Sequence, residues 1–213
     1  MRTIKETTYK GTRILVGNQK RELLNAMISM LLDNGFEEIS IPILQYQETF
    51  RNKVGQENNN LMFNFKDRGN RDICLAPEYT AIIQKLSQTT YKHQKDIKLF
   101  YIQECFRGEQ PQAGRYRQFT QLGVEVINPQ PLTHAMIPGL AQDLIEIVTN
   151  NYELDLDTTR GLDYYIGGRG FEIRCPELGA SKQVCGGGDY EGGIGFAIGI
   201  DRLLYLLELQ KQP

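Results

Sequence analysis

Apolar residues in segment 18–34 recur every three or four positions, which is the spacing of one helix face. Gly35 follows at a position where glycine commonly ends a helix. Segment 36–44 then alternates between apolar and polar residues and contains Pro42, which restricts a strand to an edge or an end of a sheet. The pattern predicts an amphipathic helix followed by a short strand.

The remainder of the chain reads as short strands joined by tight loops, with helices between them. A hairpin strand over 61–65 is bracketed by polar turns at 56–60 and 67–71. Adjacent strands joined in this way indicate an antiparallel sheet with helices packed on it, the α+β class, as a single domain over residues 1–213. Further strands are predicted over 73–75, 99–104, 118–127, 171–174, 183–186 and 195–200, and further helices from Thr80, over 138–149 and over 201–209.

Composition excludes several classes of protein. Charged residues make up 23% and hydrophobic residues 40% of the chain, as in ordinary globular proteins. The net charge of −2 argues against a protein that binds mainly to phosphate backbones. No apolar run is long enough to span a membrane and no signal-peptide core is present, so a cytoplasmic protein is expected.

Cysteine and histidine offer little material for metal binding. The four cysteines show no CxxC spacing, and we expect each to be buried and reduced. His93 and His134 are the only histidines, which makes a histidine-based metal site or a Ser-His-Asp triad an unpromising interpretation.

A cluster of arginines offers more chemistry. Arg107, Glu109, Arg115 and Arg117 surround a turn at 111–114 between two predicted strands. Guanidinium forks match phosphate oxygens, and a carboxylate can accept a hydrogen bond from an exocyclic amine. These features suit a nucleotide, although the solvated face of a hairpin explains this segment equally well when it is taken alone.

Two later motifs decide between these interpretations. RGLDYY occupies 160–165 and GFAIGIDRL occupies 195–203. In this order, the three motifs resemble the catalytic domain of histidyl-tRNA synthetases, a class II family. The resemblance implies a class II antiparallel sheet flanked by helices, and ATP-dependent conversion of histidine to histidyl-adenylate. It also implies that Mg²⁺ binds mainly through the ATP phosphates, and that the helix and Pro42 strand form a homodimer contact.

The resemblance assigns five residues to ATP. Arg107 holds the α-phosphate and the amino-acid carboxylate, Glu109 reads the adenine amino group and Arg115 contacts the γ-phosphate. Phe119 lies under adenine, and Arg202 stacks on its other face or grips the γ-phosphate. Planar, weakly hydrated guanidinium groups suit such stacking.

The resemblance also assigns a catalytic cation and an amino-acid pocket. Arg160, with Arg107, supplies positive charge near the α-phosphorus, where most class II relatives place a metal. Glu78 takes the substrate ammonium, assisted by Thr80 and Gln121. The residues expected around the imidazole are Glu125, Tyr164, Tyr165 and Tyr190.

The chain departs from the family pattern at several points. Only 33 residues separate Val126 from Arg160, so we expect a truncated paralogue without the insertion and anticodon-binding domains. Gln110 stands where the family loop commonly has an arginine that contacts tRNA, which weakens any phosphate contact there. Ala76 and Tyr79 replace an arginine and a glycine beside Glu78, and Tyr79 is expected to shrink or reshape the pocket.

Three hypotheses remain open. The first is an active ligase whose acceptor is a tRNA bound through a partner, a minihelix-like RNA, a carrier protein or a small amine. The second is a catalytically silent paralogue that resembles the regulatory subunit of ATP phosphoribosyltransferase, and the third is a fragment of a longer synthetase. The arginines at 107, 115, 160 and 202 favour the ligase, because a sensor needs no cations at the α-phosphate.

Overall fold

The computed structural model describes residues 7–9, 12–51, 53–110, 114–159, 162–179 and 182–211. In chain order, its helices and strands are β1 (Thr7–Tyr9), β2 (Thr12–Ile14), α1 (Gln19–Asp33), β3 (Glu37–Glu38), β4 (Leu44–Tyr46), α2 (Gly55–Asn60), β5 (Asn64–Lys66), β6 (Asp72–Leu75), α3 (Thr80–Gln88), β7 (Ile97–Phe106), β8 (Gln118–Ile127), α4 (Pro131–Glu146), β9 (Glu153–Thr158), β10 (Tyr165–Arg174), β11 (Gln183–Tyr190), β12 (Gly193–Gly199) and α5 (Ile200–Leu209).

A seven-stranded sheet forms the centre of the fold. Its strand order is β3-β7-β8-β12-β11-β10-β9, and all neighbours are antiparallel except β3 and β7. A three-stranded sheet, β4-β6-β5, and the β1-β2 hairpin complete the strand pairing among the described residues. The α+β prediction of an antiparallel sheet flanked by helices is confirmed.

The two faces of the large sheet have different roles. On β8, Leu122, Val124 and Val126 belong to the core that contains buried residues of α1, α4 and α5. The alternate residues Gln121 and Glu125 point to the opposite face, because successive side chains of a strand alternate in direction. That face carries a second core and the site described below. No helix among the described residues is both long and apolar enough to cross a membrane.

Several boundaries differ from the prediction. The predicted strand over 36–44 is divided, because Glu37–Glu38 pairs with β7 whereas Leu44–Tyr46 pairs with β6 in the small sheet. Segment 56–60, predicted as a turn, lies in helix α2. Helix α4 begins at Pro131 rather than at 138. Proline is well suited to a first helical turn, where its missing N–H is not needed, and Pro138 is accommodated inside this helix.

Glycines on two central strands form a flat floor on the site face. A methyl group added at these positions would collide with polar side chains that lie across the sheet, so each glycine creates the space that its neighbour fills. The pairs, with the shortest distance from the added carbon, are Gly123 with Tyr101 at 2.0 Å, Gly195 with Glu125 at 1.9 Å and Gly193 with Tyr190 at 2.6 Å.

We expect Gly123→Ala to destabilise the protein by about 1–3 kcal/mol, because the Tyr101 ring must leave its place. Gly139→Ala is the matched control: this glycine lies in α4 with open space around it, and alanine should stabilise the helix by roughly 0.5–1 kcal/mol. Urea unfolding of both variants tests the expectation. Equal stability of Gly123→Ala and the unaltered protein would contradict it.

Candidate active site

One open cleft on the glycine face gathers most of the predicted site residues. It lies between the start of α3, the β7–β8 strands with their loop, β10, β11 and the β12–α5 junction. The predicted residues that line it are Glu78, Thr80, Arg107, Glu109, Arg115, Phe119, Gln121, Tyr164, Tyr165 and Arg202.

Glu78 is a buried carboxyl just before the start of α3. The backbone N–H of Ala81 donates to both of its oxygens, at 3.2 and 3.3 Å, and the Tyr164 hydroxyl donates to Oε2 at 3.1 Å. Burial raises its pKa, whereas the Ala81 N–H and the nearby Arg107 oppose that shift. The carboxyl is thus held rigidly at the cleft wall and has unused acceptor capacity.

Glu125 lies deeper, behind Thr80. Thr80 donates its hydroxyl to Oε1 at 2.6 Å, whereas Oε2 has no hydrogen-bond partner among the described residues. Burial raises the pKa of Glu125 to about 8. The Tyr190 hydroxyl is also buried and faces Glu125, but it makes no hydrogen bond of good geometry within the described part of the chain. Such unpaired groups are costly and indicate a polar ligand.

Tyr101 belongs to the same buried polar group, and the sequence analysis did not identify it. Its hydroxyl accepts a long hydrogen bond from Gln121 Nε2 at 3.5 Å, and Cys105 Sγ donates to Gln121 Oε1 at 2.9 Å. The signal in the sequence was Gly123, the cross-strand partner of Tyr101 on β8. A glycine within a strand marks a place where another group approaches closely.

The arginine-rich end of the cleft lies around the β7–β8 loop. Arg107 Nε donates to the Pro77 carbonyl at 2.9 Å, and its guanidinium carbon lies 5.2 Å from the centre of the Phe119 ring. Arg115 Nη1 lies 3.6 Å from Glu109 Oε2, too far for a good hydrogen bond. Glu109 therefore orients the Arg115 guanidinium group, whose N–H groups can still bind a ligand.

Arg202, at the start of α5, is a partly buried cation. Its guanidinium donates to the Gln183 carbonyl. Burial, together with the nearby Arg115, lowers the pKa of Arg202 to about 10, so the group is still charged at neutral pH. The adjacent Asp201 accepts a hydrogen bond from the Thr120 backbone N–H at 2.6 Å, which fixes the start of α5 against β8.

Some predicted residues lie elsewhere. Arg160 falls outside the described residues. Arg117 is exposed and donates to the Glu109 carbonyl at 3.3 Å. Tyr79 does not line the cleft: it is fully buried, and its hydroxyl donates to the Glu104 carbonyl at 2.9 Å. Tyr79 therefore does not shrink the cleft by entering it, because its ring packs behind the site against Tyr101.

Sequence comparisons were made with families and with individual proteins. A family model described as histidyl-tRNA synthetase matches residues 17–137. The histidine--tRNA ligase of Methanococcus aeolicus is 37% identical over 152 residues, which cover 69% of this chain and 36% of that protein. The matched stretch thus spans about a third of the archaeal relative. The Clostridioides difficile ligase is 28% identical over 283 aligned positions, which cover 82% of this chain and 67% of that protein.

Solved structures give the same fold. The apo Staphylococcus aureus histidyl-tRNA synthetase superposes with a TM-score of 0.73 at 25% identity, covering 97% of this chain and 71% of its own. A Bacillus halodurans C protein described as an ATP phosphoribosyltransferase regulatory subunit/histidyl-tRNA synthetase gives a TM-score of 0.76 at 16% identity, covering 94% and 83%. The second likeness concerns the fold alone.

Glu125→Gln is expected to change how stability depends on pH. The native carboxyl, with its raised pKa, keeps a proton that the unfolded chain releases above its ordinary pKa of 4.5. The free energy of unfolding should therefore fall between about pH 4.5 and about pH 8 for the unaltered protein. Glutamine cannot ionise, so the variant should become relatively more stable as pH rises through this window.

Thermal unfolding at a series of pH values measures this difference. Glu48→Gln, at an exposed position, is the matched control and should follow the unaltered protein. Parallel pH curves for Glu125→Gln and the unaltered protein would show that the carboxyl is ionised in its buried position.

Proposed function

The chain belongs to the histidyl-tRNA synthetase family, and we propose that it activates histidine with ATP to form histidyl-adenylate and pyrophosphate. The proposal treats residues 1–213 as one catalytic domain acting in the cytoplasm. A tRNA bound through a partner, a minihelix-like RNA, a carrier protein and a small amine remain alternative acceptors.

The observation that carries the proposal is the division of the cleft into two chemical halves. Glu78 at the cleft wall and Glu125 behind it are buried carboxyls, and no ion pair joins either to a base among the described residues. Arg107, Arg115 and Arg202 mark the other half. A substrate pair with a cationic amine and a polyphosphate matches this division.

Histidine suits the carboxyl half. Its ammonium can bind to Glu78, whose position is set by Ala81 and Tyr164. Its imidazole can supply the N–H that Glu125 Oε2 lacks and accept from the Tyr190 hydroxyl. Burial raises the pKa of Tyr190, so the phenol remains a neutral donor. An amino acid without two ring nitrogens would leave these groups unpaired, which gives selectivity.

ATP suits the arginine half. Attack of the histidine carboxylate on the α-phosphorus adds negative charge there, and guanidinium groups already held in place stabilise it without reorganisation. We assign Arg107 to the α-phosphate, Arg115 and Arg202 to the outer phosphates, and Glu109 to the adenine amino group. Glu109 must then separate from Arg115. This costs little free energy, because the two side chains are already 3.6 Å apart. Mg²⁺ would bind mainly through the phosphates and add charge neutralisation.

Arg160 retains its assignment from the family motif as a second cation at the α-phosphorus. The competing hypothesis, a silent regulatory paralogue, has in its favour the fold likeness to the Bacillus halodurans C protein. Such a protein would bind histidine without catalysing exchange of pyrophosphate into ATP, so a single assay separates the two hypotheses.

We expect ATP–pyrophosphate exchange with histidine and with none of the other nineteen amino acids. Arg107→Ala should reduce the exchange rate roughly 100- to 1,000-fold, by analogy with the loss of one preorganised donor to a developing charge. Arg117→Ala is the matched control in the same loop and should have little effect, since its side chain is exposed and outside the cleft. Histidine binding without exchange in the unaltered protein would favour the regulatory hypothesis.

We further propose that the protein is a homodimer, and we assign the contact to the small sheet, which contains the end of the predicted Pro42 strand, rather than to helix α1. Apolar side chains are exposed there, an arrangement that commonly marks an interface. They are Ile43, Leu44, Tyr46, Phe63 and Phe65. The groove between this sheet and α3 continues the apolar surface through Ile39, Ile82 and Leu86.

Sedimentation at micromolar protein should show a species of twice 24.4 kDa. Leu44→Asp should convert it to monomer, because a charge would be buried in the contact. Leu132→Asp is the control, since Leu132 is 83% exposed on α4, away from the small sheet. A monomer for the unaltered protein would overturn the proposal.

A further inference from the structure

A second cavity lies at the opposite end of the large sheet from the arginine loop. It opens where β7 begins and β8 ends, beside the β11–β12 turn. Its walls come from the loop before β7, the start of α4, β10 and β11, and its lining includes Lys95, His134, Arg169, Asp189 and Tyr190. The proposed reaction uses none of these residues except Tyr190.

An irregular strand pairing creates the cavity. Tyr165 on β10 pairs with Tyr190 on β11, but the next pair along is Gly170 with Gly188. Four residues of β10, 166–169, therefore face Asp189 alone. Bulges of this kind redirect side chains and are common beside functional sites. Here the bulge brings Arg169 and Ile166 to the rim of the cavity.

Positive charge converges on this cavity. Asp189 Oδ1 lies 2.7 Å from His134 Nε2, so histidine and carboxylate are hydrogen-bonded. Arg169 Nη1 lies 3.7 Å from Asp189 Oδ2, which is too long for a hydrogen bond. The Arg169 guanidinium group is therefore able to bind a ligand. Lys95 adds a second permanent cation. Two permanent cations and a histidine thus face one carboxylate, in a chain whose net charge is −2.

We propose that this cavity binds the phosphate group of a phosphomonoester. A tetrahedral dianion can accept from several donors at once, and Lys95, His134 and Arg169 line the cavity from three separate elements. The apolar rim formed by Pro129 and Ile166 suits the esterified carbon portion. The site is independent of the proposed ligase activity, although Tyr190 forms a wall between the cavity and the Glu125 carboxyl.

The two histidines of the chain make a sharp test possible. His134 lies in the cavity, and His93 lies exposed in the preceding loop. Sulfate serves as the probe, because it is a tetrahedral dianion whose charge does not change near neutral pH. In a sulfate titration followed by NMR of the imidazole carbon-bound protons, the His134 signal should shift and saturate, whereas the His93 signal should show only the gradual effect of ionic strength.

Variants locate the binding. Arg169→Gln and, separately, Lys95→Gln should each raise the sulfate concentration needed for half-saturation roughly tenfold, as expected for the loss of one charge-assisted contact. Lys92→Gln, a matched control at an exposed loop position, should leave it unchanged. The proposal is overturned if His134 and His93 respond alike, if both cavity variants bind sulfate as the unaltered protein does, or if acetate saturates the His134 signal at lower concentration than sulfate.

Discussion

A carboxyl group buried without a cationic partner is the constraint on which the site face of this molecule depends. Glu125 can lie flat on the sheet only because Gly195 leaves it room, and Thr80 donates to its Oε1. Burial without a paired charge is unfavourable in the free protein. The fold tolerates this cost through a large core on the other face of the same strands, built from residues such as Val124 and Phe196.

The sequence predicted those elements whose periodicity was strong. The apolar face of α1 was recognised because burial on one side imposes a regular spacing, and the long strands β7 and β8 because they flank a turn-rich loop. Strand β9 was missed since its six residues include three carboxylates and lie at a sheet edge, where packing demands little. The division of segment 36–44 between two sheets depends on tertiary pairing, which no local pattern specifies.

The cleft residues could be located from motifs, but their relative depth could not. Motif order brought Glu78, Arg107 and Arg202 to one cleft, as expected from the family resemblance. It did not indicate that Glu125 lies behind Thr80, or that Tyr79 turns into the core. Tyr101 carries no motif at all. The Tyr101 ring fits at the site because Gly123, on the neighbouring strand, has no side chain. This is a relation between two strands, and the sequence of either strand alone does not reveal it.

Arg202 has a wider consequence. Its lowered pKa reflects burial together with the proximity of Arg115 and Arg107, so the free protein holds like charges against one another. This repulsion opposes folding, and any polyanion in the cleft relieves it. Dissolved anions do the same by screening, over a Debye length of about 10 Å at 0.1 M salt. Screening by dissolved salt and charge neutralisation by a polyanion at the cleft therefore act on the same local repulsion among Arg202, Arg115 and Arg107.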